Sequence, residues 1–170
     1  MREFLMHGRR VLFLLFFFVV LPASALTGSD ITGWGKAQWG MTHSQLSKHF
    51  ALNPWEPGAI PTCKLKNRIR IWNQEYGVAF YFDRRSAKGK LYKVVLVHFD
   101  DHVTDTDWLN QIKDLLVEKY GNPESFVIHD NVKISRWMKA EGQMELMTKT
   151  GKTVMCVIEY ISRQMADEKL

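Results

Sequence analysis

Six stretches of the chain are rich in β-branched and aromatic residues and end at turn signals, in two sets of three. The first set is "CKLKNRIRIW", "YGVAFYFD" and "KLYKVVLVHF"; the second is "VKISRWMK", "QMELMTK" and "KTVMCVIEYI". Such runs read as strands. Together they predict an α+β domain built on one antiparallel sheet of about six strands, with helices packed on one face.

A marked helix start precedes each set. In "WGMTHSQLSKHF" Thr42 is placed to cap, and Gln45, three residues on, is placed to reach back to the cap amide. Met41 and Leu46 are spaced for a hydrophobic staple, Leu46 and Phe50 share a buried stripe, and Trp39 reads as a core anchor beneath them. The same grammar stands 62 residues later in "VTDTDWLNQIKDLLVEKYGNP". There Val103, Thr104, Asp107 and Trp108 take the places of Met41, Thr42, Gln45 and Leu46. Trp108, Leu109, Ile112, Leu115, Leu116 and Tyr120 form one apolar face, and Gly121-Asn122-Pro123 stops the helix. Order and spacing predict two tandem αβββ units, residues 39–99 and 103–163. The alternative is one irregular α+β domain in which similar local rules arise twice.

The "GMTHSQL" start resembles the Gly-Met-Thr/Ser-x-x-Gln/Glu-Val helix start of the SmpA/OmlA small lipoproteins of outer-membrane assembly. The repeated helix-plus-strands unit is similar to the halves of β-lactamase-inhibitory proteins. The fuller "WGMT" form resembles a group of small exported bacterial proteins. These resemblances imply binding or scaffold roles without catalysis. No Cys stands where the lipoproteins carry their lipid.

The first thirty residues, "MREFLMHGRRVLFLLFFFVVLPASALTGSD", have the order of a secretory signal peptide. Arg2, Arg9 and Arg10 form the basic region, residues 11–21 are apolar, and Ala23-Ser24-Ala25 is a small-x-small cleavage site. A bilayer span needs about 20 apolar residues, more than this run supplies. The expectation is a mature chain of residues 26–170, exported without a membrane span, to the periplasm or outside a cell that has no outer membrane. Residues 26–38 are expected to be a flexible lead-in, and residues 39–170 a single domain. Cleavage lowers the formal charge from +5 to +3, too little and too dispersed for a nucleic-acid binder. Cys63 and Cys156 remain. An oxidising compartment permits a bridge between them; two separate buried thiols are the other reading.

The strand alternations supply the candidate binding residues. In "KLKNRIRIW", Leu65, Ile69 and Ile71 point one way, and Lys64, Lys66, Arg68, Arg70 and Trp72 the other. In "VKISRWMK", Val132, Ile134 and Met138 oppose Lys133, Ser135, Trp137 and Lys139. If the helices cover the aliphatic side, the open face is basic and carries Trp72 and Trp137. Such a face suits an acidic protein surface or an anionic envelope glycan. The plain alternative is a solvated face with edge strands blunted by Lys and Arg. Trp55, in the Pro-rich loop of residues 51–62, is a further contact candidate. "HFDDH" places His98, Asp100 and His102 two apart, but the strand is expected to stop near Phe99, against a metal site. No nucleophile elbow, zinc-protease helix, phosphate loop or dinucleotide fingerprint is present in the sequence, and nothing in it calls for a cofactor.

The leading functional expectation is non-enzymatic binding of a macromolecular partner in the cell envelope, as an inhibitor or an assembly scaffold. A domain binding a small ligand or anion between sheet and loop comes second, and a hydrolase third. The signal peptide makes the first prediction: intact-mass measurement of the exported protein finds Leu26 at its N-terminus. Retention of residues 1–25 in a membrane fraction would refute it.

Overall fold

The computed structural model describes residues 29–56, 58–101 and 106–164. The expected signal peptide and the expected second cap, Thr104, lie outside them. The strands are β1 (Gly33–Trp34), β2 (Ala37–Gln38), β3 (Thr62–Lys64), β4 (Ile69–Ile71), β5 (Gln74–Phe82), β6 (Leu91–Asp100), β7 (Ser125–His129), β8 (Val132–Met138), β9 (Gly142–Lys149) and β10 (Val154–Ser162). The helices are α1 (His43–Leu46) and α2 (Asp107–Tyr120). The fold is mostly β, with two short helices and a main antiparallel sheet of eight strands ordered β3-β5-β6-β10-β9-β8-β7; β4 also pairs with β5.

Two differences raise the strand count above six. "CKLKNRIRIW" is not one strand: β3 pairs with the Ala79–Tyr81 part of β5, and β4 with its Gln74–Tyr76 part. Between them the backbone turns to the preceding loop, where Asn53 N–H donates to the Lys64 carbonyl and Lys66 N–H to the Ala51 carbonyl. The second addition is β7, which closes on β8 through a two-residue turn at Asp130 and Asn131.

The first helix start is built as its sequence implies. Thr42 N–H donates to Gln45 Oε1 at 2.8 Å, and Gln45 N–H to Thr42 Oγ1 at 3.3 Å, a reciprocal capping box. Gly40, at φ 79°, takes a backbone conformation that favours glycine. Its N–H and the Met41 carbonyl bond to Leu91 at the head of β6, so the cap is tied to the sheet. The helix lasts only four residues, but Leu46 is fully buried and Phe50 stacks 5.9 Å from Trp34 and 5.4 Å from Phe80.

The second start departs from the expected pattern. Helix α2 begins at Asp107 behind Thr106, whose side chain makes no capping bond, so the offset of 62 between two matching caps is not kept. Trp108, Leu109, Ile112, Leu116 and Tyr120 are buried as one stripe, while Leu115 falls on the exposed side.

Both helices lie on one face of the sheet. His43 of α1 sits over Phe82 and Trp108 of α2 over His98, and those rings belong to the phase of β5 and β6 that also carries Tyr76, Val78, Phe80, Val94 and Leu96. On β8 this covered phase holds Ser135 and Trp137. Trp137 is therefore core, at 0 % exposure, with Nε1–H donating to the Gly121 carbonyl at 2.7 Å. That reverses the expected face of this strand: Val132, Ile134, Arg136 and Met138 turn outward. The loop after α2 supplies an acceptor for the indole, so the largest side chain goes inside rather than the three aliphatic ones.

The expected flexible lead-in is also placed otherwise. Residues 33–38 form the β1–β2 hairpin, and Ile31 and Ala37 are fully buried. Ser29 N–H donates to the Lys119 carbonyl, and Trp39 Nε1–H to the Ile31 carbonyl. Gly142 permits this closeness, since a Cβ there would meet the Ile31 carbonyl oxygen at 2.5 Å. The anchored Trp39 agrees with its expected role.

Thr42→Ala removes one half of the capping box and is expected to cost about 0.5–2 kcal/mol of stability. Trp137→Ala, which an outward-facing residue would tolerate, is expected to cost about 3–5 kcal/mol. Denaturant melts of the two variants check both values, and their order is the critical outcome.

Candidate functional site

The nine predicted contact residues do not converge on one surface. Lys64 is exposed at the β3 edge and pairs with Glu56 at 2.7 Å; Arg70 pairs with its cross-strand neighbour Glu75 at 3.6 Å. Lys66 and Arg68 are exposed in the break between β3 and β4. Trp72 is 51 % exposed in the two-residue β4–β5 turn, where it and Asn73 hold φ of 47° and 60°. Positive φ suits this tight hairpin, but it is a rare conformation for a bulky residue. Trp55 is half-buried, its ring 5.0 Å from Phe82 and 4.7 Å from His43, so it pins the 51–62 loop to the core. That contact also buries Nε2 of His43, which sequence alone makes an exposed helix-start residue. On the far side of the sheet, Lys133 is exposed on the covered phase, Trp137 is buried, and Lys139 pairs with Glu124 at 3.6 Å. From β4 to β8 is five strand spacings, about 24 Å. No single basic and aromatic face joins these residues.

The open face has a different character. Following register across the strands gives one row: Gly77, Val97, Val157, Met147, Ile134 and Val127. Every residue is apolar, from β5 to the edge strand β7. Beside it lie Phe99, 57 % exposed, and Met155, followed in register by the exposed Lys149 and then Val132. The row on the other side holds Glu159 opposite Glu145. Lys93 meets Glu159 at 2.8 Å and Arg136 meets Glu145 at 2.6 Å, so four charges cancel in pairs next to the apolar belt. The belt has a sequence signal: "YKVVLVHF", "VMCVIEYI" and "SFVIH" are apolar in both alternation phases, so both of their faces are apolar.

The two sheet edges also differ. The β3–β4 edge is broken, basic and bridged to Leu52. All five residues of β7 are exposed, including Phe126, Val127 and Ile128, and none is Lys or Pro. The first edge is defended against strand addition and the second is not.

Beneath α2, Tyr76, His98, Trp108 and Cys156 meet inside the core. Cys156 is the cross-strand neighbour of His98, whose ring lies 5.4 Å from Tyr76 and 4.9 Å from Trp108. His98 Nδ1 is 3.1 Å from the Glu75 carbonyl, while His98 Nε2 and Trp108 Nε1 are buried without a partner among the described residues. A Cys–His pair is the arrangement of a thiol nucleophile. Here both groups are closed off: Cys156 has no exposure, and burial pushes its thiol up to about 11 despite the neighbouring Tyr76 hydroxyl. Cys63 is pushed up to about 12 by burial, reinforced by Glu56. A thiolate is favoured in neither place. Two carboxylates in or beside loops, Glu56 and Asp83, are engaged as well: Glu56 by Lys64, and Asp83 by the Lys90 amide and Arg84.

A bridge between the cysteines is excluded by the sheet. Cys63 lies on β3 and Cys156 on β10, three strand spacings apart, or about 14 Å, and a disulfide requires Cα atoms within about 7 Å. Both thiols are expected to resist iodoacetamide in the folded protein near pH 8 and to react once it is unfolded, as mass measurement will show. The raised values favour the neutral thiol in the fold. Stability from them is complete below the unfolded value near 9.0 and falls as pH rises toward 11–12. Comparison with known proteins finds no matching family model, no similar curated protein and no similar solved structure at a significant level.

Proposed function

We propose that this chain is an exported, non-enzymatic binding protein whose open sheet face engages an apolar surface of another envelope protein. The observation that carries this is the belt of Gly77, Val97, Val157, Met147, Ile134 and Val127, extended by Phe99 and Met155 and continuous with the β7 edge. A contiguous exposed apolar patch rimmed by charge is the usual mark of an interaction site. The paired charges beside it suit an apolar partner surface better than the acidic surface or anionic glycan suggested by the basic residues alone. Inhibition or scaffolding is the role such a face serves in this reading.

The finer architecture belongs to the same proposal. We read the domain as two αβββ halves, β3/β4-β5-β6 and β8-β9-β10, joined through their last strands. The mirror order of the sheet about the β6–β10 pair supports this, as does the likeness to lipoprotein and inhibitory-protein halves. The unmatched second cap and the added β7 speak against a strict repeat.

The test is capture of an envelope partner by the mature chain. Val97→Asp with Val157→Asp is expected to weaken capture at least about tenfold, because a carboxylate would be buried in the centre of the interface. Lys66→Glu with Arg68→Glu is expected to leave it unchanged. Thermal melts establish that both variants fold. The reverse pattern would move the site to the basic edge. Self-association that Val157→Asp abolishes would assign the face to a second copy in place of a separate partner.

A further inference from the structure

The face opposite the belt carries a separate feature. Between the first two turns of α2 and strands β7 to β9 lies a cleft of about 120 Å³. Its wall on α2 is Thr106, Leu109, Asn110 and Lys113, one side of the helix at successive turns. Its floor is the covered phase of the sheet, where Lys133 stands directly opposite Thr148 and Ser135 opposite Leu146. We propose that this cleft binds a tetrahedral oxyanion, a phosphate or sulfate group, free or as the end of a larger molecule.

Three independent observations support that ligand. The first is charge. Lys113 and Lys133 both line the cleft, and among the described residues no carboxylate does. Lys113 is held with its ammonium 4.8 Å over the Phe126 ring, and neither lysine has an acidic partner among the described residues. Asp107 stands in the first turn of α2 but is not part of the lining, and Asp130 is taken up by His129 at 3.2 Å.

The second is the pair of hydroxyls on the floor. Ser135 is 3 % exposed and Thr148 8 % exposed, both line the cleft, and neither has a hydrogen-bond partner among the described residues. The two side chains are largely buried, and with no protein partner among the described residues they leave two hydroxyls on the cleft floor for a polar guest. A hydroxyl can donate to an anion and so serve it without competing charge.

The third is the helix. Thr106 occupies the cap position of α2 and lines the cleft, yet its side chain caps nothing. The positive end of a fourteen-residue helix thus stands beside the two lysines with no side-chain acceptor from Thr106. Size narrows the class further. The cleft is small and open to solvent, so it can take one oxyanion group with any remainder of the molecule lying outside. The site lies on the helix face and does not depend on the open-face proposal.

The test uses the mature chain and the thermal melt. Inorganic phosphate and sulfate are titrated against chloride at matched ionic strength, with methyl phosphate as a parallel series. The expected result is a saturable rise in Tm with phosphate or sulfate and none with chloride. Methyl phosphate raising Tm as well as inorganic phosphate would identify the end of a larger molecule as the guest. Methyl phosphate without effect would identify the free ion. Lys113→Met with Lys133→Met is expected to keep its Tm in chloride and to weaken the ion at least about tenfold. Ser135→Ala, with its fold intact, is expected to weaken it severalfold. An identical response to chloride, or a double variant that binds as the parent does, would overturn the proposal.

Discussion

The structure depends on the pairing of β6 with β10. Residues 93–100 of one strand meet residues 154–161 of the other through eight register pairs, antiparallel and without a bulge. The pair stands in the middle of the sheet, with β3, β4 and β5 on one side and β9, β8 and β7 on the other. On the covered side it stacks Val94 on Tyr160 and Leu96 on Ile158, which makes the core continuous from the aromatic cluster over β5 to Trp137 on β8. The helical cover over this core is short: α1 is a single turn, and the fourteen residues of α2 span only about 21 Å.

That economy of cover sets the character of the opposite face. The two helices and the N-terminal hairpin all pack on one side of the sheet. Strands in the middle of the sheet still carry apolar residues in both phases, so among the described residues their outer phase has no layer over it. The Glu145–Glu159 juxtaposition would be unfavourable by itself. Lys93 and Arg136, reaching in from neighbouring positions, neutralise it and hold a polar band along one flank of the apolar row. The cleft beneath α2 is the complementary case. There the covered phase of the outer strands turns from aliphatic to hydroxyl and ammonium, just where the helix begins without a Thr106 cap.

Local features were legible in the sequence because they act over a few residues. The capping box of Thr42 and Gln45, the apolar stripe of α2 and its stop at Gly121, and the six strand runs all appear where their spacing placed them, with the first run broken in two. What the sequence concealed was phase. In "VKISRWMK" both alternation sets contain large apolar side chains, and counting aliphatics chooses Val132, Ile134 and Met138 for the core. The choice falls to Trp137 because the Gly121 carbonyl, sixteen residues earlier, offers its indole a partner. With Trp137 and Trp55 both spent on the core, the basic and aromatic face read from the two strands dissolves into an edge, a turn and a cleft.

The sequence by itself determined most of the elements: the main strand runs apart from β1, β2 and β7, where the first helix starts, and that the sheet is antiparallel. These follow from propensity, periodicity and caps, whose range is one turn or one hairpin. Tertiary structure alone decided which side of the sheet is inside, that Cys63 and Cys156 lie three strands apart, and that Ile31 and Ala37 belong to the core. It also decided that the uncovered side of the sheet carries an apolar row. The physical reason is that a strand presents two faces of equal geometry. Only the elements packed against it, which come from distant parts of the chain, determine which of the two stays open to water.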